Sequence, residues 1–310
     1  MRMRSGLSLL AALVLAAAAG CGDDGGGRSG HASLTAVATT TQVGDFVRQV
    51  GGERVDVEQI LEPNADPHDY EPRPSDAVAL GDADVVFRSG GDLDEWLDEL
   101  IDSAGGDAEP VELIDSVRTI RGDGEVDPHW WQDPPNAERA VNAIRDALAE
   151  ADPGGRDIYR RNAAAYVVRL QRLDRDVAGC IERVPPARRK LVTTHDALGY
   201  YADRYGLEVV GALIPSLSSQ AQPSSKDTAE LVGQIERLGV RAIFPESSLN
   251  PKLERAVARE TGAAVGEALW ADTLGAQSSS GATYLDSIRA NTEAIVRGLT
   301  RGEADCSSPG

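Results

Sequence analysis

The chain has 310 residues, 41% of them hydrophobic, and a formal charge of −19. That length makes room for two lobes or one large α/β domain. The acidic balance excludes a nucleic-acid partner and direct adhesion to anionic lipid, since both need a basic face.

The chain opens with M-R-M-R and a 15-residue apolar run, G-L-S-L-L-A-A-L-V-L-A-A-A-A-G. A membrane-spanning helix needs about 20 residues, so this run is too short to span. It has the proportions of a secretory signal over residues 1–20. Small residues before Cys21 resemble a bacterial lipobox, which makes Cys21 the expected lipid-attachment site. Residues 21–33, rich in Gly, Asp and Ser, read as a polar tether; about ten such residues reach roughly 15–20 Å. Contact with the membrane is expected only through that anchor.

From Leu34 onward, short apolar runs alternate with amphipathic stretches. L-T-A-V-A-T-T reads as a strand and Q-V-G-D-F-V-R-Q-V as a helix stopped by Gly51 and Gly52. R-V-D-V-E-Q-I-L is a strand, P-S-D-A-V-A-L-G-D-A a helix, and Asp82–Phe87 holds a strand. L-D-E-W-L-D-E-L-I-D-S-A-G carries Leu93, Trp96, Leu97 and Leu100 at helical spacing, and V-E-L-I-D follows as a strand. Alternation of this kind predicts a mostly parallel sheet flanked by helices.

After Pro153-Gly154-Gly155 comes a long helical stretch that ends before Pro185-Pro186. Tyr159, Tyr166, Leu170, Leu173, Val177 and Ile181 form one stripe along it. Some 27 helical residues span roughly 40 Å, enough to cross two lobes. The second half then repeats the scheme. Strands are expected at K-L-V-T-T, L-E-V-V-G-A-L-I and R-A-I-F-P-E, with helices at H-D-A-L-G-Y-Y-A-D-R-Y-G, at S-K-D-T-A-E-L-V-G-Q-I-E-R-L-G, and at N-P-K-L-E-R-A-V-A-R-E-T-G with Pro251 in its first turn. A last helix runs from about Tyr284 to Leu299. The S-L-S-S-Q-A-Q-P-S-S run reads as a loop near the cleft mouth. The expected organisation is an N-terminal lobe over 34–152, a linking helix over 153–184, a C-terminal lobe over 185–302 and a tail over 303–310.

The chain has four histidines. Two of them, His68 and His129, occur in the same tripeptide, Asp-Pro-His, inside proline-rich loops. Proline fixes its own φ and holds the preceding residue extended, so each histidine sits on a stiff loop. His68 follows the second strand-like run, His129 the fourth, and His195 the first strand of the second half. Ligands of open α/β sheets bind beyond the carboxyl ends of strands, so these three imidazoles can meet in one cleft. Neighbouring aspartates can accept the second ring N–H and orient the imidazoles. His31, in the tether, is incidental. A dication held by three neutral imidazoles calls for an acidic fourth ligand; Glu246 and Asp272 both qualify, and spacing does not choose between them. Two readings stay open for Cys180 and Cys306: a bridge tying the C-terminal tail to the long helix, or two free thiols.

These motifs resemble the zinc- and manganese-binding lipoproteins of bacterial ABC importers, the cluster A-I solute-binding family. The likeness is carried by P-N-A-D-P-H-D-Y-E-P-R-P-S-D, D-P-H-W-W-Q-D-P-P-N-A, T-T-H-D-A-L-G-Y-Y-A-D-R-Y-G-L, the stretch from P-S-S-K-D-T to A-I-F-P-E, and A-D-T-L-G. The resemblance implies two α/β lobes bridged by one long helix, a single metal site between them, and His68, His129, His195 and Asp272 as ligands. Glu246 then stands behind the ligands or serves the fold.

It also implies a non-enzymatic, monomeric protein that hands its metal to a membrane permease driven by an ATP-binding subunit. Three imidazoles and a carboxylate suit tetrahedral Zn²⁺ better than Mn²⁺, which prefers more oxygen ligands. Manganese-selective relatives often carry glutamate where this chain has His195. The long His-rich loop of many zinc-specific relatives is absent here. Rival readings are a hydrolase with a three-histidine zinc site and an open water position, a manganese importer component, and an adhesin.

Overall fold

The computed structural model describes residues 33–105, 109–122 and 124–306. The signal segment, Cys21, His31 and all but the last residue of the tether lie outside the described residues. Among the described residues, no helix is long and apolar enough to cross a membrane.

The first half builds β1 (Leu34–Ala38), α1 (Thr41–Gly51), β2 (Val55–Gln59), α2 (Pro74–Gly81), β3 (Val85–Arg88), α3 (Trp96–Ala104) and β4 (Pro110–Glu112). The four strands form one sheet in the order β2-β1-β3-β4, with every pair parallel. Central β1 is buried at every position but Thr35, with Ala36, Val37 and Ala38 fully covered, as suits a strand with helices on both faces. Thr40 accepts a hydrogen bond from the Val43 amide and starts α1; Gly52, at a φ of 57°, ends it.

A short hairpin follows, β5 (Arg121–Gly122) with β6 (Glu125–Val126). Then comes α4 (Pro134–Ala151), an 18-residue helix for which the sequence reading provides no element. Its buried stripe is Ala137, Ala140, Val141, Ile144 and Leu148, so alanine dilutes the apolar periodicity on which such readings depend. Proline in its first turn is compatible with helix, because those N–H groups have no partner in any case.

α5 (Arg156–Ile181) is the expected long helix, with 26 residues and a length of roughly 39 Å. The stripe named from sequence is its buried face. It packs against α1 and α4 of the first half and against α6 and α9 of the second.

The second half contains β7 (Lys190–His195), α6 (Gly199–Tyr205), β8 (Glu208–Ile214), α7 (Ser225–Leu238), β9 (Ala242–Ile243), α8 (Lys252–Thr261), β10 (Ala264–Val265) and α9 (Tyr284–Thr300). β7 pairs with β8 and β9 with β10, each in parallel. The bridge between Thr193 and Phe244 joins the pairs into the order β8-β7-β9-β10. Pro251 caps α8 rather than lying in its first turn, and β9 is only the first two apolar residues of the expected strand.

One apolar core runs from Leu34 through the α5 stripe to Leu299, so the two sheets share packing through the helices between them. Phe46, Trp130 and Tyr284 meet at its centre, with ring centroids 4.8 Å apart for Phe46 and Tyr284. Cys180 on α5 and Cys306 in the tail form a disulfide.

Candidate metal centre

The connections that leave the carboxyl ends of the strands carry every group of interest. His68 lies in the loop after β2, His129 beyond β4 and the hairpin, His195 at the last position of β7, and Asp272 in the loop after β10. Their donor atoms all lie within 4.8 Å of one another. Asp272 reaches His195 Nε2 at 3.2 Å, His129 Nε2 at 3.4 Å and His68 Nε2 at 3.5 Å. The Nε2 atoms of His129 and His195 are 3.3 Å apart. His129, His195 and Asp272 are buried, and His68 is nearly so.

Two further carboxylates fix how the imidazoles face. Asp127 Oδ1 takes both the backbone N–H and the Nδ1 proton of His129, at 2.9 and 2.7 Å. Glu246 Oε1 does the same for His195, again at 2.9 and 2.7 Å. An ionised carboxylate only accepts, so each Nδ1 must donate and each Nε2 keeps its lone pair for the centre. Glu246 is therefore a buried orienting group, 3% exposed, and Asp272 is the carboxylate at the centre. Replacing Asp127 or Glu246 with Ala is expected to lower metal affinity about 10–100-fold; chelator competition measures it, and wild-type affinity in both variants would contradict the orienting role.

The two Asp-Pro-His tripeptides are wired differently. Asp66 accepts only the backbone N–H of His68, at 3.0 Å, and its second oxygen takes the Ser219 hydroxyl at 2.6 Å. The Asp272 loop is clamped from the first half: Trp131 Nε1 and Gln132 Nε2 both donate to the Ala271 carbonyl, at 3.0 and 2.8 Å. The Asn64 amide donates to Leu274 O, and the Leu274 amide to Thr41 Oγ1. On the other side Tyr200 of α6 donates to Asp127 O at 2.7 Å. Gly199, which starts α6, leaves room for Asp127: a Cβ there would sit 2.9 Å from its Oδ2. Trp131, Gln132, Tyr200 and Ser219 were not singled out from sequence, because their roles depend on contacts between distant segments. Asp127 carried a signal in its place beside a histidine.

Burial disfavours a charged imidazole at His195, yet the Asp272 and Glu246 carboxylates outweigh it and hold its pKa well above the usual value. For Asp272, burial pushes the pKa up, but His195 and His129 pull harder, and it lies well below the ordinary carboxylate range. Both oxygens of Asp272, and Nε2 of His68, are buried and have no hydrogen-bond partner. Buried polar atoms are almost always satisfied, so converging orphan acceptors are what a cation site leaves in its protein framework.

A two-sheet α/β protein with three imidazoles and a carboxylate closing on one buried point belongs to the class of metal-ion-binding proteins. The comparisons give the particular kind. Residues 36–298 match the family described as zinc-uptake complex component A, periplasmic. The manganese-binding lipoprotein MntA of Halalkalibacterium halodurans is 33% identical over 288 residues, covering 92% of this chain and 95% of the relative. The iron-binding protein YfeA of Yersinia pestis is 30% identical, covering 85% of each. Among solved structures, the periplasmic zinc-binding protein TroA from Treponema pallidum superposes with a TM-score of 0.80 at 28% identity, covering 86% of this chain and 99% of that one.

The chain belongs to this family of metal-binding lipoproteins. It is the substrate-binding component of a metal ABC importer, not an enzyme, and it works with permease and ATPase subunits at the extracytoplasmic face of the membrane. It binds a divalent metal as cargo.

Proposed function

We propose that the cargo is Zn²⁺, held by His68, His129, His195 and Asp272 between an N-terminal lobe over 34–152 and a C-terminal lobe over 185–302, with 153–184 as the strut between them. The donor set carries this reading. A tetrahedron with arms of roughly 2.0–2.1 Å has edges of roughly 3.3–3.4 Å. Four of the six separations lie close to that, with one or other Asp272 oxygen 3.2, 3.4 and 3.5 Å from His195, His129 and His68 and the His129 and His195 nitrogens 3.3 Å apart, and all four donors lie within 4.8 Å of one another. Glu246 adds support: an acceptor placed against position 195 suits an imidazole there, where glutamate would bring two carboxylates together. Mn²⁺ prefers more oxygen donors and stands lowest in the usual affinity order. The manganese reading rests on relatives such as MntA, a manganese-binding lipoprotein by name.

Capture needs little rearrangement, because Asp127, Glu246 and the clamp on Ala271 already orient the ligands. Any closing of the lobes is small, limited by α5. The loaded form then docks on the permease, and the lipid on Cys21 keeps it near the membrane.

Titration of the metal-free soluble body with Zn²⁺ and Mn²⁺ tests this. One equivalent of Zn²⁺ is expected, and excess Mn²⁺ should not displace it. The same titration has a defined pH dependence. The metal-free centre keeps a proton on His195 to above the ordinary pKa of about 6.5, and Zn²⁺ must displace it. Affinity should therefore rise about tenfold per pH unit for each displaced proton until that raised pKa is passed, and fall as the solution is acidified. Preferential retention of Mn²⁺ would overturn the choice of metal; pH-independent affinity would contradict the assigned ligands.

A further inference from the structure

We propose that Ser219 and Asp66 form a latch that holds the 215–224 loop closed over His68 and governs how fast the bound ion leaves. The inference rests on the four-ligand reading above and concerns the kinetics of the same site.

The way out is set by burial. His129 and His195 have no exposed surface, and Asp272 is 2% exposed. His68 instead borders a cavity of about 440 Å³ whose walls include Pro67, Trp96, Pro128 and Ser216–Ser218. An ion that leaves without breaking the buried framework passes His68, under the loop that follows β8.

That loop has no ladder to hold it. Residues 215–224 lie between β8 and α7 without regular structure. The Asp196 amide donates to Ser216 O at 3.0 Å at the start of the loop, and beyond it side-chain contacts tie the loop to the first half. Leu217 rests over Gly122 of the hairpin, where a Cβ would lie 3.1 Å from its methyl carbon. Ser219, 8% exposed, donates its hydroxyl to Asp66 Oδ2 at 2.6 Å. The opposite oxygen of Asp66 holds the backbone N–H of His68 at 3.0 Å. One carboxylate thus joins the loop of the second half to the ligand of the first.

The contrast with the other Asp-Pro-His loop is informative. Asp127 spends its Oδ1 on both donors of His129, which keeps that ligand fixed. Asp66 leaves the His68 ring alone and turns outward to Ser219. The same tripeptide therefore supplies one static ligand and one ligand tied to a surface loop. A hydroxyl-to-carboxylate bond is among the stronger hydrogen bonds, since one partner is charged. Breaking it frees the loop and leaves Asp66, which still holds the His68 amide, without its tie to the second half.

The test compares zinc release from the full chain in detergent, in wild type, Ser219→Ala and Ser219→Thr. Each is loaded with Zn²⁺ and mixed rapidly with excess chelator. Release should be about tenfold faster in Ser219→Ala and near wild type in Ser219→Thr, with metal-free melting temperatures alike. Unchanged release in Ser219→Ala, or equal acceleration in both variants, overturns the latch. Hydrogen exchange on the unsubstituted protein gives a second readout: amides of residues 216–222 should slow when Zn²⁺ binds, and equal exchange with and without the ion counts against it. The series is repeated with Mn²⁺. If wild type retains neither ion, the metal reading and the latch fall together; if an ion binds and release is unaltered, only the latch falls.

Discussion

His195→Ala should remove most of the zinc affinity while leaving a folded protein. Four-ligand zinc sites bind with about 10–16 kcal/mol, which averages about 3 kcal/mol per ligand, or roughly a hundredfold in affinity. Position 195 should exceed that average for two reasons. The substitution also removes the Nδ1 proton that Glu246 Oε1 accepts, so a buried carboxylate behind the centre loses one partner and keeps the backbone N–H of position 195. It further removes the imidazole that contributes most to holding Asp272 ionised, which makes the remaining carboxylate easier to protonate and a poorer ligand at neutral pH. The fold should survive, because His195 is the last residue of β7 and the strand's pairing to β8 is made by backbone groups. Isothermal titration with Zn²⁺, checked by metal content after dialysis, measures the effect. Wild-type affinity in His195→Ala would remove the central assignment. His195→Glu is the informative companion. It restores a ligand but swaps nitrogen for oxygen, so it should recover Mn²⁺ binding more than Zn²⁺ binding, though with Glu246 now facing a second carboxylate.

Much of this centre was legible from residues alone. Proline told that His68 and His129 stand on stiff loops, and the strand pattern placed all three histidines at carboxyl ends of strands. Those are local signals, and local chemistry produces them. The acidic ligand was different: Glu246 and Asp272 each follow a strand-like run, and only the arrangement in space separates them. Glu246 follows β9, next to β7 through the bridge between Thr193 and Phe244, which brings it against the Nδ1 side of His195. Asp272 follows edge strand β10 on a loop that Trp131, Gln132 and Thr41 pull toward the first half. Which carboxylate faces the centre is decided by contacts that span 51 residues for Glu246 and more than 100 for the Asp272 loop, and no spacing rule carries that information. The unread helix α4 failed for the opposite reason. Its signal was local but weak, because alanine packs closely against α5 without marking a strong apolar period.

Removing the disulfide should produce the second large effect, on stability rather than on metal binding. Cys180 and Cys306 are separated by 126 residues, and the closed loop contains β7 through α9, nearly the whole second half and none of the first sheet. In the chain-entropy account a cross-link closing a loop of this size stabilises by about 4–5 kcal/mol. The other ties of the tail are weak by comparison. Arg188 pairs with Glu303 at 2.6 Å and Arg183 with Asp305 at 3.7 Å, but the carboxylates are largely exposed and the arginines partly so, and surface pairs contribute about 0–1 kcal/mol each. Without the covalent bond the tail is still held by the Ala304 amide on Thr300 Oγ1, by Arg183 donating to Asp305 O at 2.8 Å, and by partial burial of Cys306 against the core. For a domain of this size each kcal/mol shifts the melting temperature by about 2–4 °C, so Cys180→Ser with Cys306→Ser should melt on the order of 10 °C lower than the oxidised protein. Wild type in reductant should match the double variant. Zinc stoichiometry should stay at one in both, because the bridge lies at the far end of α5 from Tyr159 and touches none of His68, His129, His195 or Asp272. A melting temperature indifferent to reductant would mean that the native packing of α5, α6 and α9 already fixes this half of the chain, and that the cross-link constrains little that folding has not.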